Sequence, residues 1–122
     1  MIKLTASEAK GLIDRVGPSL GYDHTYDPVF SEGRRDVCAV RRLAENGTTY
    51  GFDTVYLVWK ELSGVVQCKE ICNSRSTKDY VYVDSIVANE DGTVTVRFSS
   101  GGMFSGAPWK NSSTINPQRR NQ

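Results

Sequence analysis

The sequence predicts an α+β fold in which an N-terminal amphipathic helix packs on a curved antiparallel meander sheet of five or six strands. Three observations favour this class. Apolar residues recur at helical spacing near the N-terminus, they recur at a period of two from Val37 to Ser99, and short turn motifs separate the period-two segments. A chain of 122 residues suffices for one core, so we expect a single domain over 1–109 and a flexible C-terminal tail over 110–122.

The N-terminal segment carries the signals of one short helix. Thr5 and Glu8 have the spacing of a capping box, and Gly17-Pro18 is a stop signal. Between them, the apolar residues that fall on one helical face are Ala9, Leu12, Ile13 and Val16. Residues 19–35 are rich in Gly, Asp, Pro and Ser and show no sustained period, so we expect a long loop there.

The predicted strands follow one another along the rest of the chain. They span 37–43, 49–62 with a break near 51–53, 65–72, 80–88 and 93–99. Turn residues at 45–47, at Ser63-Gly64 and at 89–92 join three of the neighbouring pairs, and a polar loop covers 73–78. Short turns leave consecutive strands side by side and antiparallel, which is why the pattern indicates a meander.

The turns also set the predicted register of two hairpins. With Leu62 opposite Val65, the register of the first hairpin pairs Leu57 with Glu70 and Trp59 with Cys68. With Ala88 opposite Thr93, the register of the second hairpin pairs Val83 with Phe98, Asp84 with Arg97 and Tyr80 with Gly101. In both hairpins one face of the pair is more apolar than the other, as expected for a sheet that lies against a core.

The second face of the predicted sheet is more apolar and aromatic than contact with solvent requires. It carries Tyr56, Val58, Tyr80, Tyr82 and Ile86. We therefore expect something to cover it. The candidates are the N-terminal helix or the C-terminal segment, a second subunit, and a ligand.

The charge balance limits the expected partners. Fifteen Lys and Arg residues against fourteen Asp and Glu residues give a net charge of +1, so no overall field attracts nucleic acid or anionic lipid. The N-terminus lacks the apolar run of a signal peptide, no stretch reaches the roughly 18 apolar residues of a membrane span, and three cysteines are too few for a disulfide framework. We expect a cytoplasmic protein that does not bind a membrane, and the charge balance disfavours nucleic acid as its partner.

Residue types that carry catalysis are scarce. His24 is the only histidine, which excludes a histidine pair or a multi-histidine zinc site within one chain. Cys68 and Cys72 would lie about 13 Å apart along a strand, too far to share a metal ion or a disulfide. We expect no catalytic residue, no metal and no cofactor. Asp23, His24 and Asp27 leave a metal site or a small hydrolase as the last alternative.

Two predicted connections carry groups that suit a phosphate. The loop Arg75-Ser76-Thr77-Lys78 offers a guanidinium, two hydroxyls and an ammonium, and the glycine-rich segment 99–106 permits close approach of backbone amides to an anion. Pairing of Tyr80 with Gly101 would place the two connections side by side, with aromatic rings available to stack on a base. The predicted ligand-binding residues are Arg75, Ser76, Thr77, Lys78, Tyr80, Tyr82, Arg97, Ser100, Gly101, Gly102, Phe104 and Trp109.

These features predict a non-enzymatic binding protein for a small phosphate-bearing, nucleotide-like ligand, and we expect it to be a homo-oligomer. Such a protein would sequester or sense its ligand, a role that anti-defence proteins can take. One alternative is a protein interaction or homo-oligomerisation module that docks through the second sheet face. Another is single-stranded nucleic acid binding through exposed aromatic residues.

Overall fold

The computed structural model of the chain describes residues 2–17, 23–45, 54–73, 79–102 and 109–117. Its elements are α1 (Ala6–Val16), β1 (Asp23–Ser31), β2 (Arg34–Glu45), β3 (Thr54–Lys60), β4 (Val66–Asn73), β5 (Asp79–Ala88), β6 (Val94–Gly102) and β7 (Trp109–Ile115). All strand pairs are antiparallel. They form a first sheet in the order β1-β2-β3-β4 and a second sheet in the order β5-β6-β7.

The described elements make three layers, with the first sheet in the middle. Side chains from α1 pack on one face of the first sheet in a cluster of Leu4, Ala9, Ile13, Cys38, Val40, Tyr56 and Val58. The second sheet packs on the opposite face in a cluster of Val37, Ala39, Leu57, Ile86, Val94, Val96 and Ile115. Strands β2 and β3 are therefore covered on both faces, which explains their continuous apolar runs.

The helix forms where the capping signals predict it. The Thr5 hydroxyl accepts a hydrogen bond from the Glu8 amide at 3.1 Å, and the Glu8 carboxylate accepts one from the Thr5 amide at 3.0 Å. The second Glu8 oxygen lies 2.8 Å from Lys60 Nζ on β3, so the same side chain caps the helix and attaches it to the first sheet. These contacts, led by the hydrogen bond from Lys60, lower the pKa of Glu8.

The α+β class with one N-terminal helix is confirmed, but the single curved sheet of five or six strands is wrong. The described residues form seven strands in two sheets. Two strands lie where the sequence predicts none. The expectation of one sheet failed because the apolar face of the second sheet packs against the first sheet instead of extending it.

The first unpredicted strand, β1, replaces most of the loop expected over 19–35. The sequence does not indicate a strand there, because Asp27 and Pro28 are both unfavourable in the middle of a sheet. Strand β1 lies at the edge of the first sheet, where a proline is tolerated since only one neighbour needs hydrogen bonds. Gly33, with φ of +66°, completes the turn into β2, which begins at Arg34 rather than at Val37.

The second unpredicted strand, β7, begins at Trp109 and runs through residues 110–115 of the predicted C-terminal tail. Its composition is polar, but it pairs with β6 from Trp109 to Ile115. Ile115 is 9% exposed and belongs to the cluster between the sheets. On the other side of the strand, the hydroxyls of Thr114 and Thr95 lie 2.9 Å apart. Polar cross-strand contacts thus stabilise an edge strand that has little apolar content.

Both predicted hairpin registers are wrong by one residue next to the turn. The backbone amide of Glu61 donates to the carbonyl of Val65 at 2.8 Å, and the backbone amide of Asn89 donates to the carbonyl of Thr93 at 2.8 Å. Each turn therefore has three residues and ends in a glycine with positive φ, which are Gly64 at +94° and Gly92 at +88°. The predictions instead placed two and four residues in these turns.

A β-bulge then changes the register again in each hairpin. In the first hairpin the shift lies between Val55 and Tyr56. On the turn side of it, Leu57 pairs with Lys69 and Trp59 with Gln67, not with Glu70 and Cys68, and beyond it Val55 pairs with Cys72, as the predicted register requires. In the second hairpin the shift falls between Val83 and Ser85 on β5. Beyond that bulge the predicted pairs are restored, namely Val83 with Phe98 and Tyr80 with Gly101.

Candidate ligand site on the outer face of the second sheet

The second sheet turns one face toward the first sheet and one away from it. Inward-facing side chains of this sheet, such as Val81, Val94 and Val96, are 4%, 0% and 0% exposed. Alternation along the strands then places a different set on the opposite side. We call this side the outer face and define it by Tyr80, Tyr82, Asp84, Ser85, Arg97, Ser99 and Lys110. Neither hydrophobic cluster of the described residues includes any of these side chains.

Two tyrosines occupy one end of the outer face. Tyr80 and Tyr82 are two residues apart on β5, so their side chains project from the same side of the strand. Their ring centroids lie 5.9 Å apart and the ring planes differ by 12°. Both residues are partly exposed, and the register places them opposite Gly101 and Ser99. The pair presents stacked aromatic surface beside a glycine that adds no side chain of its own.

A network of three polar side chains lies next to the tyrosines. The Ser99 hydroxyl donates to Asp84 Oδ2 at 2.6 Å and accepts a hydrogen bond from Lys110 Nζ at 2.9 Å. Lys110 Nζ also lies 3.6 Å from Asp84 Oδ2. Ser99 is fully buried under these neighbours, whereas 70% of the Lys110 side chain is exposed. The network holds Lys110 against the sheet and pairs it with Asp84.

The bulge on β5 determines which cationic side chain lies next to Asp84. The sequence predicts Asp84 opposite Arg97, but the extra residue brings Ser85 to that position instead. Asp84 is directed to Ser99 and Lys110. Arg97 stays exposed, and none of the described carboxylates forms an ion pair with it. The outer face therefore presents one guanidinium whose charge no described neighbour balances.

The structure brings together some of the predicted ligand residues and separates others. Tyr80, Tyr82, Arg97 and Gly101 share the outer face, and Gly102 ends β6 opposite Asp79. Ser100 and Trp109 pair with each other across β6 and β7 and, by alternation, lie on the other face. Trp109 is 76% exposed, and Ser100 accepts a hydrogen bond from Asn111 at 3.1 Å. Arg75, Ser76, Thr77, Lys78 and Phe104 lie outside the described residues.

Sequence analysis missed Ser99 as a network residue and Lys110 as an outer-face cation. Lys110 falls in the segment expected to be a tail, so nothing placed it beside β6. Residues 110–114 are all polar, so no alternation marks a strand there; the even spacing of Trp109 and Ile115 is the one weak signal in the sequence. Once that strand is recognised, the pairing of Ser99 with Lys110 follows from its register.

The described residues offer few groups suited to act as a nucleophile or to bind a metal ion. Ser99 is buried, and its hydroxyl proton and an acceptor position are already used. No group of three or more His, Cys, Asp or Glu side chains suited to a metal occurs within the described ranges. Burial raises the pKa of Cys38 to about 12 and, as the main cause, that of Cys72 to about 11, so both remain thiols near neutral pH.

Comparisons with family models, with curated proteins and with solved structures find no match to this chain. Among the described helical residues, none forms a helix long and apolar enough to cross a bilayer. Any functional conclusion therefore depends on the chemistry of the outer face. Its parts are a stacked tyrosine pair, an exposed guanidinium, and an ammonium held by a buried serine.

Proposed function

We propose that the protein is a non-enzymatic binding protein and that its outer face holds a small phosphate-bearing, nucleotide-like ligand. Arg97 would bind the phosphate through its guanidinium, which suits bidentate contact with phosphate oxygens. Tyr82 lies diagonally across from Arg97, at a separation of about 7 to 8 Å that is typical for such neighbours. A base or sugar could stack on the exposed surface of the tyrosine pair while its phosphate reaches Arg97.

The displacement of Asp84 is the observation that carries the proposal. In the predicted register, Asp84 would face Arg97 and neutralise it. The bulge substitutes Ser85, a neutral residue, and leaves the positive charge on the same face as the aromatic rings. A β-bulge that redirects a side chain is a known feature of functional sheet surfaces.

Two neighbouring segments extend the proposed site. Lys78 precedes Tyr80 by two residues, and Phe104 follows Gly101 by three residues. Because Tyr80 and Gly101 are paired, the two strand ends that precede and follow these positions in the sequence, Asp79 and Gly102, lie side by side. We propose that Arg75 and Lys78 contribute further phosphate contacts and that Phe104 contributes stacking. In the cell, such a site would serve to sequester or sense the ligand.

A thermal-shift panel tests this proposal. We expect at least one member of a panel of mono-, cyclic and dinucleotides to raise the unfolding midpoint, because a ligand that binds only the folded state stabilises it by mass action. The matching nucleoside without phosphate should give a smaller rise. Arg97→Gln should reduce the effect of the nucleotide toward that of the nucleoside. Absence of a response to every nucleotide would exclude the proposed ligand class.

Self-association is a second proposal, favoured by Trp109. This residue is 76% exposed at the start of an edge strand, and large aromatic side chains are enriched in protein interfaces. Light scattering of the purified chain tests it directly. An oligomer that Trp109→Ser converts to a monomer is the expected result, and a monomeric wild-type chain would contradict it.

A further inference from the structure

A cleft lies at the other end of the molecule from the tyrosine pair. It is bounded by the segment that leads into α1 and by the turn between β1 and β2, and its volume is about 520 Å³. The Leu4 amide donates to the carbonyl of Arg35 at 2.8 Å, which fixes the N-terminal wall against β2. Cavities of this size are typical of sites for small molecules, for which a range of roughly 300 to 1,000 Å³ is usual.

The position of the cleft separates it from the outer face. Arg34 donates through Nη1 to the carbonyl of Gly92 at 2.8 Å, which joins the β1–β2 turn to the β5–β6 turn. Tyr80 and Gly101 lie at the opposite end of the β5–β6 hairpin. The intervening strand length is about 30 Å at the usual rise per residue. A ligand in the cleft therefore cannot touch the tyrosine pair.

Two cations of the cleft have no described carboxylate partner. Lys3 and Arg35 both line the cleft and are exposed. The adjacent Arg34 differs, since it is 8% exposed and forms an ion pair with Asp36 at 2.9 Å. Glu32 is the single acidic residue of the lining. The cleft thus carries two positive charges and one negative charge, a balance that complements a monoanion better than a dianionic phosphate.

The interior of the cleft offers one hydroxyl and one apolar wall. Ser31 lines it, is 8% exposed, and forms no side-chain hydrogen bond with any described residue. Because Ser31 lines the cleft, its hydroxyl can donate a hydrogen bond to a ligand oxygen. Phe30, which is 38% exposed, supplies apolar surface beside it. Ala6, the first residue of α1, also lines the cleft.

We propose that this cleft binds a small organic monocarboxylate with an apolar body. Arg35 and Lys3 bind the carboxylate, Ser31 donates a hydrogen bond to it, and Phe30 packs against the apolar part. Glu32 limits the affinity and disfavours ligands with two negative charges. This site is independent of the nucleotide site proposed for the outer face.

A titration of the full chain, labelled with nitrogen-15, tests the proposal by amide chemical shifts. Phenylacetate is the anionic probe and phenylacetamide is its neutral counterpart of nearly the same shape. We expect saturable shifts of the amides of Ser31, Gly33 and Arg35 with phenylacetate, and affinity for phenylacetamide that is roughly three- to tenfold weaker. No saturable shift, equal binding of the two probes, or shifts centred on Tyr80 and Tyr82 would each overturn the proposal.

Charge variants of exposed residues sharpen the test without disturbing the core. Arg35→Gln should weaken phenylacetate binding roughly three- to tenfold, whereas Glu32→Gln should strengthen it by a similar factor. Lys69→Gln, an equal charge change on the exposed side of β4, should leave it unchanged. If Arg35→Gln and Lys69→Gln weakened phenylacetate binding equally, the change in net charge alone would explain the loss of affinity, and the proposed site would be overturned. Because Arg97 plays no part here, Arg97→Gln should bind phenylacetate normally even if the nucleotide proposal fails.

Discussion

The two sheets of this protein differ in how many of their faces are covered. In the first sheet, α1 packs on one side and the second sheet on the other, so Val37 to Val40 are all 0% exposed. In the second sheet, burial alternates along β6, where Val94 and Val96 are buried and Arg97 is exposed. The comparison shows that the first sheet contributes both of its faces to the core, whereas the second sheet contributes one face and leaves the other exposed.

The same difference explains where sequence changes should matter. In the covered part of β2, from Val37 to Val40, a side chain contacts a packed layer whichever way it points, so both sets of alternate positions contribute to stability. On the second sheet only alternate positions do so. We expect the outer face to tolerate substitutions that the first sheet does not.

The largest expected effect concerns the buried ion pair of Arg34 and Asp36 on β2. Asp36 is 6% exposed and Arg34, which it binds, also reaches the β5–β6 turn. Asp36→Asn leaves a buried guanidinium without its counter-charge and should lower the free energy of unfolding by about 3 to 5 kcal/mol. Urea denaturation measures this decrease in the free energy of unfolding. Arg35→Gln, which alters the exposed neighbour, should cost less than about 0.5 kcal/mol, and equal losses would contradict the assignment.

The next effect compares a residue of the middle layer with Val87, which pairs with Thr95 on the same side of the second sheet as Arg97. Leu57 on β3 is 0% exposed, whereas Val87 on β5 is 37% exposed. Leu57→Ala should lower the free energy of unfolding by about 2 to 5 kcal/mol because it leaves a cavity between two packed layers. Val87→Ala should change it by no more than about 0.5 kcal/mol. Similar values for the two variants in urea denaturation would show that the layers are not arranged as described.

A smaller effect depends on pH and concerns how the helix attaches to the first sheet. The hydrogen bond from Lys60 and the capping contacts lower the pKa of Glu8 in the folded chain. The unfolded chain then binds more protons below the ordinary Glu pKa, so this contribution is complete above about pH 5.5 and decreases as pH falls through the folded pKa.

Comparison with Glu8→Gln isolates that contribution. Wild type should exceed the variant in stability near neutral pH, by no more than about 1 kcal/mol since both partners are partly exposed. The difference should shrink as the solution is acidified toward about pH 3. Chemical denaturation at several pH values measures it. A difference that is constant with pH would show that the Glu8 carboxylate gains nothing from its charge.

The smallest expected effect on stability is at the outer face itself. Arg97 is exposed and has no described ion-pair partner, so Arg97→Gln should change the free energy of unfolding by less than about 0.5 kcal/mol. Thermal and urea denaturation without ligand should therefore give wild-type values. A large loss would mean that Arg97 has a structural role, and reduced ligand binding by the variant could then not be attributed to lost phosphate contact.

Local signals in the sequence were sufficient for the helix and for the existence of the hairpins. The Thr5 and Glu8 pair marks the helix start, and Gly64 and Gly92 mark the turns. Strand β1 was missed because Pro28 is acceptable at a sheet edge, and only the fold reveals which strands are edges. Coverage of the first sheet on both faces likewise depends on contacts between distant segments.

The candidate site was predictable only in part, for a similar reason. Pairing of Tyr80 with Gly101 was predicted, although the turn at the other end of the hairpin was placed one residue off. Two shifts that cancel produced that agreement, one at the turn and one at the bulge. No residue type marks Asp84 as the extra residue of a bulge, so its separation from Arg97 could not be read from the sequence.

The central claim is that a neutral Ser85 opposite Arg97 leaves the outer face able to bind phosphate. Calorimetric titration of Ser85→Asp and Ser85→Asn, with the nucleotide that most raises the unfolding midpoint, tests this most directly. We predict that Ser85→Asp loses affinity by at least about tenfold, since a carboxylate then faces the guanidinium, while Ser85→Asn stays within about twofold of wild type. Undiminished binding by Ser85→Asp would contradict the account.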